Sequence, residues 1–257
     1  MAVYIERLHG IDEVDEEIIL FFISALIAEI IGTIAGFGSS TIFLPLALLF
    51  VDFKTAIILV AIFHLFGNLS RIFFFRQGID KRIILQFGVP SILLSLLGAF
   101  LIGVLPQPVL KLILGIFLIS TSTSFLIKPG LKLPANTGTF IAGGSATGFI
   151  TALVGTGGAL RATLLQGFNI EKVRYIATAS TIALATDATR IPVYISQGFL
   201  TEQYYLYLPI LFGIALAGSF IGRKIVKRID QEKFRKIVLV AIILVSIKFI
   251  IDGLLAQ

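Results

Sequence analysis

The sequence predicts an all-α, polytopic integral membrane protein built as two inverted repeats, each a glycine-broken helix pair followed by three transmembrane helices. Three observations carry this expectation. The chain of 257 residues is 57% hydrophobic and 14% charged, with a mean hydropathy of +1.00, whereas soluble domains hold about a quarter charged residues. Residues 32–78 and 151–198 then repeat one pattern. Gly36 and Gly155, Gly38 and Gly157, Arg71 and Arg190, and beyond them Pro90 and Pro209, pair at one offset (155 − 36 = 190 − 71 = 119). Finally, each copy opens on an apolar stretch too long for one span and too short for two, interrupted by small residues.

Taken in order, residues 1–17 read as an extracytoplasmic N-terminal segment. Its acidic residues Asp12, Glu13, Asp15, Glu16 and Glu17 stand where a signal peptide carries positive charge, so the first apolar run is expected to stay in the mature chain. Residues 18–127 form the first transmembrane repeat, 128–137 a linker and 138–257 the second repeat. Crossing a bilayer takes about 20 apolar residues. Runs of that kind lie near 54–75, 83–104, 109–127, 173–196, 204–222 and 234–252. The units 18–51 and 138–168 are broken at Gly36-Phe37-Gly38-Ser39-Ser40 and at Gly155-Thr156-Gly157-Gly158. Each reads as a helix, a glycine turn and a shorter helix, as a re-entrant hairpin or as two short tilted spans.

Basic residues choose between these. If each broken unit returns to its starting side, fourteen lysines and arginines share one face, including Arg76, Lys81, Arg82, Lys128 and the stretch from Arg223 to Lys236. Only Arg7, Lys54, Lys111 and Lys248 face the other side. If each unit crosses once, the split weakens to eleven against seven. Basic residues collect in the cytoplasm, which favours the first arrangement: inverted repeats in the cytoplasmic membrane, an external N-terminus and a cytoplasmic loop from Arg223 to Lys236.

Several chemistries drop out. Without cysteine there are no disulfides, iron–sulfur clusters or thiolate zinc sites, and with only His9 and His64 the usual ligand clusters are missing. No metal, cofactor or enzymatic activity is expected. The net charge of +6 arises from basic residues at the ends of apolar segments, which is membrane topology and not nucleic-acid binding. Lipid is the expected surroundings, and a homodimer is left open.

Irregular backbone at membrane depth survives only against protein, water or a ligand. Amides at a glycine turn leading into a helix form a concave donor nest backed by the helix dipole, which favours an anion. Gly36, Phe37, Gly38, Ser39 and Ser40 with Gly155, Thr156, Gly157 and Gly158 are therefore candidate binding residues, expected to meet near the midplane. Close packing by small residues is the alternative reading of the same glycines, and Gly32 with Gly36 fits it.

These residues resemble the sulfite exporter TauE/SafE family of membrane transporters. The resemblance lies in Gly-Phe-Gly-Ser-Ser-x-x-x-x-Pro at 36–45, in Gly-Thr-Gly-Gly at 155–158 and in the arginine-bearing or polar helix after each, and it covers nearly the whole chain. It implies movement, by export more than import, of small sulfur-containing or organic anions such as sulfite and organosulfonates. Serines at 39 and 40 replace the more glycine-rich pattern usual there, Leu164 stands opposite Pro45, and Arg161 stands opposite Ile42.

The polar residues within apolar runs complete the candidate set. Arg71 follows Asn68, and Arg190 follows Asp187, by three residues, which puts each pair on one helical face; an intramembrane arginine is costly enough to expect function. Arg161 belongs to the first turn of the helix after the second break. Arg71, Arg161 and Arg190 are assigned to offset the anion's charge, while Glu29, His64 and Asp187 are candidates for carrying a coupling proton. The bland reading of His64 is a hydrogen bond between helices, and that of Asp187 a partner fixing Arg190. Tyr194, Tyr204, Tyr205 and Tyr207 are expected at the membrane interface. The sequence thus reads as a secondary carrier of a small anion, with a channel lined by the same arginines as the alternative.

Overall fold

A computed structural model describes the backbone of residues 2–35, 38–75, 78–127, 133–168, 170–225 and 230–255. Every regular element among them is a helix. These are α1 (Ala2–Ala35), α2 (Ser40–Ala47), α3 (Phe53–Phe75), α4 (Lys81–Ile83) running through a π-helical turn (Ile84–Gly88) into α5 (Val89–Leu101), and α6 (Gln107–Ile127). The second half repeats the order: α7 (Thr137–Val154), α8 (Gly158–Gly167), α9 (Lys172–Ser196), α10 (Tyr207–Ile225) and α11 (Gln231–Leu255). Short polar residues cap the starts. Asp52 accepts from the Lys54 and Thr55 amides, Asp80 from those of Arg82 and Ile83, and Asn136 from that of Thr139, each satisfying N–H groups that a first turn leaves open. The π turn ends at Gly88, two residues before Pro90, whose missing N–H and ring displace the regular bond to residue 86.

Among the described residues, seven segments are long and apolar enough to cross a membrane: 16–35, 53–73, 81–101, 107–127, 137–154, 202–225 and 236–255. The chain is a multi-pass membrane protein. Its outer helices turn large apolar side chains outward, among them Leu93 and Leu97 on α5, Phe220 on α10 and Leu244 on α11, where lipid takes the place of a protein core. By contrast, α3 is 67% buried along its span. One expected span needs correction. Residues 172–196 form a 25-residue helix, yet with Asp187, Arg190 and five threonines and serines from Thr178 to Thr189 it is not among the apolar spans. The reason is its place: α9 packs against α3 and α5 inside the bundle, so its polar side chains Thr178, Thr186, Asp187 and Arg190 are buried against protein.

Contacts between helices keep their pattern when the two halves are exchanged. As α1 packs on α10, α7 packs on α5; α3 packs on α10 as α9 does on α5; α3 meets α9, and α6 meets α11. Small residues permit the close approaches. A Cβ at Gly144 or Gly148 of α7 would strike the backbone at Phe87 of the π turn or at Ser91 of α5, and one at Gly222 would strike Thr33 of α1.

Two ends of the bundle can be followed through named contacts. At one, the Phe21 ring near the start of the first span meets Phe50 beyond α2 edge-on and Tyr207 at a tilt, while Lys54 reaches the Gly103 carbonyl and the Phe199 ring. At the other, Asp80 meets Thr178 and Arg174, Gln86 meets Thr137, and the Leu133 amide donates to the Gly167 carbonyl at 2.9 Å. Each broken unit thus ends beside the point where it began. The two units start from opposite ends.

Candidate functional site

The two breaks touch. Gly38 takes φ +88° and Gly155 φ +80°, the left-handed conformation that glycine adopts without a Cβ penalty; Gly155 thereby ends α7. Past these turns, the hydroxyls of Ser40 and Thr41 lie 3.3 Å and 3.0 Å from that of Thr156. Ser39, Ser40, Thr41 and Thr156 are all buried. Among the described residues, Ser39 Oγ has no hydrogen-bond partner. Gly36 and Phe37 lie outside the described residues.

Gly157 differs from its sequence counterpart Gly38. Its φ is not positive, and a Cβ there would fall onto Thr151 Oγ1. The glycine at 157 is needed because the turn folds back against α7, while the one at 38 is needed for its dihedral angle and because a Cβ would lie 3.0 Å from His64 Nε2.

A chain of polar contacts crosses the bundle next to the breaks. Ser219 of α10 donates to Glu29 Oε1 of α1 at 2.6 Å, and Arg71 Nη2 of α3 donates to the same oxygen at 2.7 Å. Arg71 Nη1 donates to Asn68 Oδ1 at 3.0 Å, Asn68 Nδ2 lies 3.1 Å from His64 Nδ1, and His64 Nδ1 lies 2.8 Å from Asp187 Oδ2 of α9. Asp187 Oδ1 accepts from Arg190 Nε at 3.0 Å. Arg190 Nη2, 2.8 Å from that oxygen, is at ion-pair distance but out of line for a hydrogen bond. The spacing that put Asn68 with Arg71, and Asp187 with Arg190, on shared faces is realised as direct bonds.

Arg190 and Tyr194 also solve the problem that the break creates. A helix that stops inside the membrane leaves carbonyls without partners. Arg190 Nη1 donates to the Thr151 carbonyl at 2.7 Å, and the Tyr194 hydroxyl donates to the Ala152 carbonyl, so α9 supplies the donors that α7 lacks, with a positive charge at the negative end of its dipole. Tyr194 is therefore no interface anchor: it is completely buried, its hydroxyl spent on this cap. Tyr205, by contrast, is 54% exposed.

Arg161 stands apart. It follows Gly157 by one helical turn, its amide bonded to the Gly157 carbonyl at 2.9 Å, and it is 4% exposed. Its Nη1 has no hydrogen-bond partner among the described residues. Arg71 faces Glu29 and Arg190 faces Asp187, while Arg161 lies near enough to His64 and Asp187 for its charge to act on both. Such a donor is costly to leave unmade in a dry interior.

A family model described as sulfite exporter TauE/SafE matches residues 20–249. The chain belongs to this family. TauE/SafE proteins are membrane transporters, and the match takes in both breaks and the whole polar chain between α1 and α9. No curated protein and no solved structure matches the chain. Among the polar residues of this TauE/SafE chain, sequence reasoning missed Thr41, Thr151 and Ser219. Thr41 sat one residue beyond a noted motif. Ser219 carried no signal, since a serine in an apolar helix 190 residues from Glu29 looks like any other small residue.

Proposed function

We propose that the protein is a secondary transporter that exports a small anion, such as sulfite or an organosulfonate, across the cytoplasmic membrane from a site where the two breaks meet. The observation that carries this reading is Arg161: a buried guanidinium with an unmatched donor, beside a cluster of buried hydroxyls. Ser39, whose hydroxyl is also unmatched, with Ser40, Thr41, Thr156 and the turn amides of Gly38, Gly155, Gly157 and Gly158, would hold the anion's oxygens. The charge is offset first by Arg161. Arg71 and Arg190, each already paired with a carboxylate, shape the site through Asn68, His64 and Asp187.

Inverted repeats belong to this proposal. Two things support them: broken units that start from opposite ends and return, and contacts preserved on exchanging the halves. In that frame the end with Phe21, Lys54 and Tyr207 is external, and the end with Asp80 and Thr137 is cytoplasmic.

The decisive experiment is a thermal-shift panel of sulfite, sulfate, thiosulfate, short sulfonates and carboxylates on the detergent-purified protein. A ligand at 100 times its dissociation constant stabilises by about 2.7 kcal/mol. A shift with sulfur oxyanions, lost in Arg161→Ala, is the expected result; no shift with any anion overturns the reading. Flux into proteoliposomes that saturates with anion concentration separates a carrier from an anion channel.

A further inference from the structure

We infer that His64 is the proton-binding residue of this anion site, taking up one proton when the bound anion is doubly charged and none when it is singly charged. The inference rests on the anion site proposed above. It starts from the charges inside the bundle. Among the described residues, the charged side chains of the polar chain and the breaks are Glu29 and Asp187 against Arg71, Arg161 and Arg190. Two carboxylates against three guanidiniums leave one positive charge, and the guanidinium without a carboxylate of its own is Arg161. Uncompensated charge in a low-dielectric interior is expensive. A singly charged anion neutralises the site as it stands; a doubly charged one needs one more positive charge.

His64 is placed to supply it. The Asp187 carboxylate accepts only, so at 2.8 Å it holds the proton of His64 on Nδ1. In the neutral ring Nε2 then carries a lone pair; Asn68 Nδ2 lies 3.4 Å from this nitrogen, which also stands at the first break, 3.0 Å from where a Cβ on Gly38 would lie. A lone pair beside an anion nest offers the anion no hydrogen bond. Protonation turns the same atom into an N–H donor on a cation, beside the turn at Gly38. The groups facing His64 from the packed elements are Asn68 and Arg71 on α3, Asp187 and behind it Arg190 on α9, Arg161 on α8, and Glu29 on α1, which reaches it through Arg71. α10 contributes the neutral Ser219, at Glu29. The proton comes from the water on the side where the anion enters and leaves with the anion.

Sulfate stays doubly charged and methanesulfonate singly charged across the neutral range, which makes them the probes. Titration calorimetry of the full-length detergent-purified protein, in two buffers of unlike ionisation enthalpy, counts protons taken up on binding. With His64 neutral before binding, we expect one proton per sulfate and none per methanesulfonate, and a sulfate affinity that falls about tenfold per pH unit while that of methanesulfonate stays level. His64→Gln, which keeps a donor for Asp187, should lose the proton uptake and keep methanesulfonate binding. Sulfate binding without proton uptake in the wild type overturns the inference even if the variant fails to fold, as does uptake that persists in His64→Gln. If neither anion binds at any pH, the anion site itself falls.

Discussion

At Arg161, Arg71 and Arg190 the same side chain serves different ends, and the difference is visible only in what each faces. Arg161 has an unmatched Nη1, so Arg161→Ala should abolish anion-dependent stabilisation while keeping or raising the melting temperature of the free protein. Arg161→Lys should restore charge without the planar fork and recover only part of the binding. Arg190 is tied to Asp187 and to the last carbonyls of α7. Arg190→Ala leaves a buried carboxylate and an open helix end, at a cost of about 3–5 kcal/mol, and is expected to melt well below the wild type in the absence of any ligand. Equal melting of the two alanine variants would contradict this division.

Among the elements, the broken pairs depend on glycines for two different reasons. A Cβ at Gly32 would meet Ser39 Cα at 2.6 Å, and one at Gly157 would overlap Thr151. Overpacking of this kind costs about 1–3 kcal/mol, so Gly32→Ala and Gly157→Ala should both lower the melting temperature. Because Gly157 meets the Thr151 hydroxyl, adding Thr151→Ala should relieve part of the loss, and a double-mutant cycle should read a coupling of about 0.5–3 kcal/mol. Additive losses would place the strain elsewhere. Gly38→Ala acts differently, through the positive φ and the contact with His64, and is expected to weaken sulfate binding more than methanesulfonate binding in the same calorimetry. The matched spacing of Gly38 and Gly157 had implied one shared role; the α7 turn instead transfers the positive φ to Gly155, because that residue ends the helix.

For the whole molecule, the proposed topology makes a test that this cysteine-free chain suits well. Thr201→Cys and Gln107→Cys should react with an impermeant thiol reagent from outside intact cells, and Ala135→Cys only after the membrane is opened. Thr201 and Ala135 are exposed loop positions at opposite ends of the bundle. Labelling of Ala135→Cys together with Thr201→Cys from the same side would rule out the inverted arrangement.

Composition, run length and the offset between copies determined the helical class, nearly every span and the position of both breaks, because lipid imposes apolarity on any helix that faces it. The i, i+3 pairs at Asn68–Arg71 and Asp187–Arg190 were legible for the same kind of reason: one helix geometry fixes both ends of the contact. Contacts between helices were not. That Glu29 holds Arg71, that His64 meets Asp187, that Tyr194 caps α7 and that α9 is an inner helix all depend on which faces pack together, and residues 42, 123 and 42 positions apart for those three pairs carry no mark of each other in the chain. The sequence showed that three arginines lie at membrane depth. Only the packed bundle decided which of them is left with a donor to give, since the answer turns on where two carboxylates and two carbonyls come to rest.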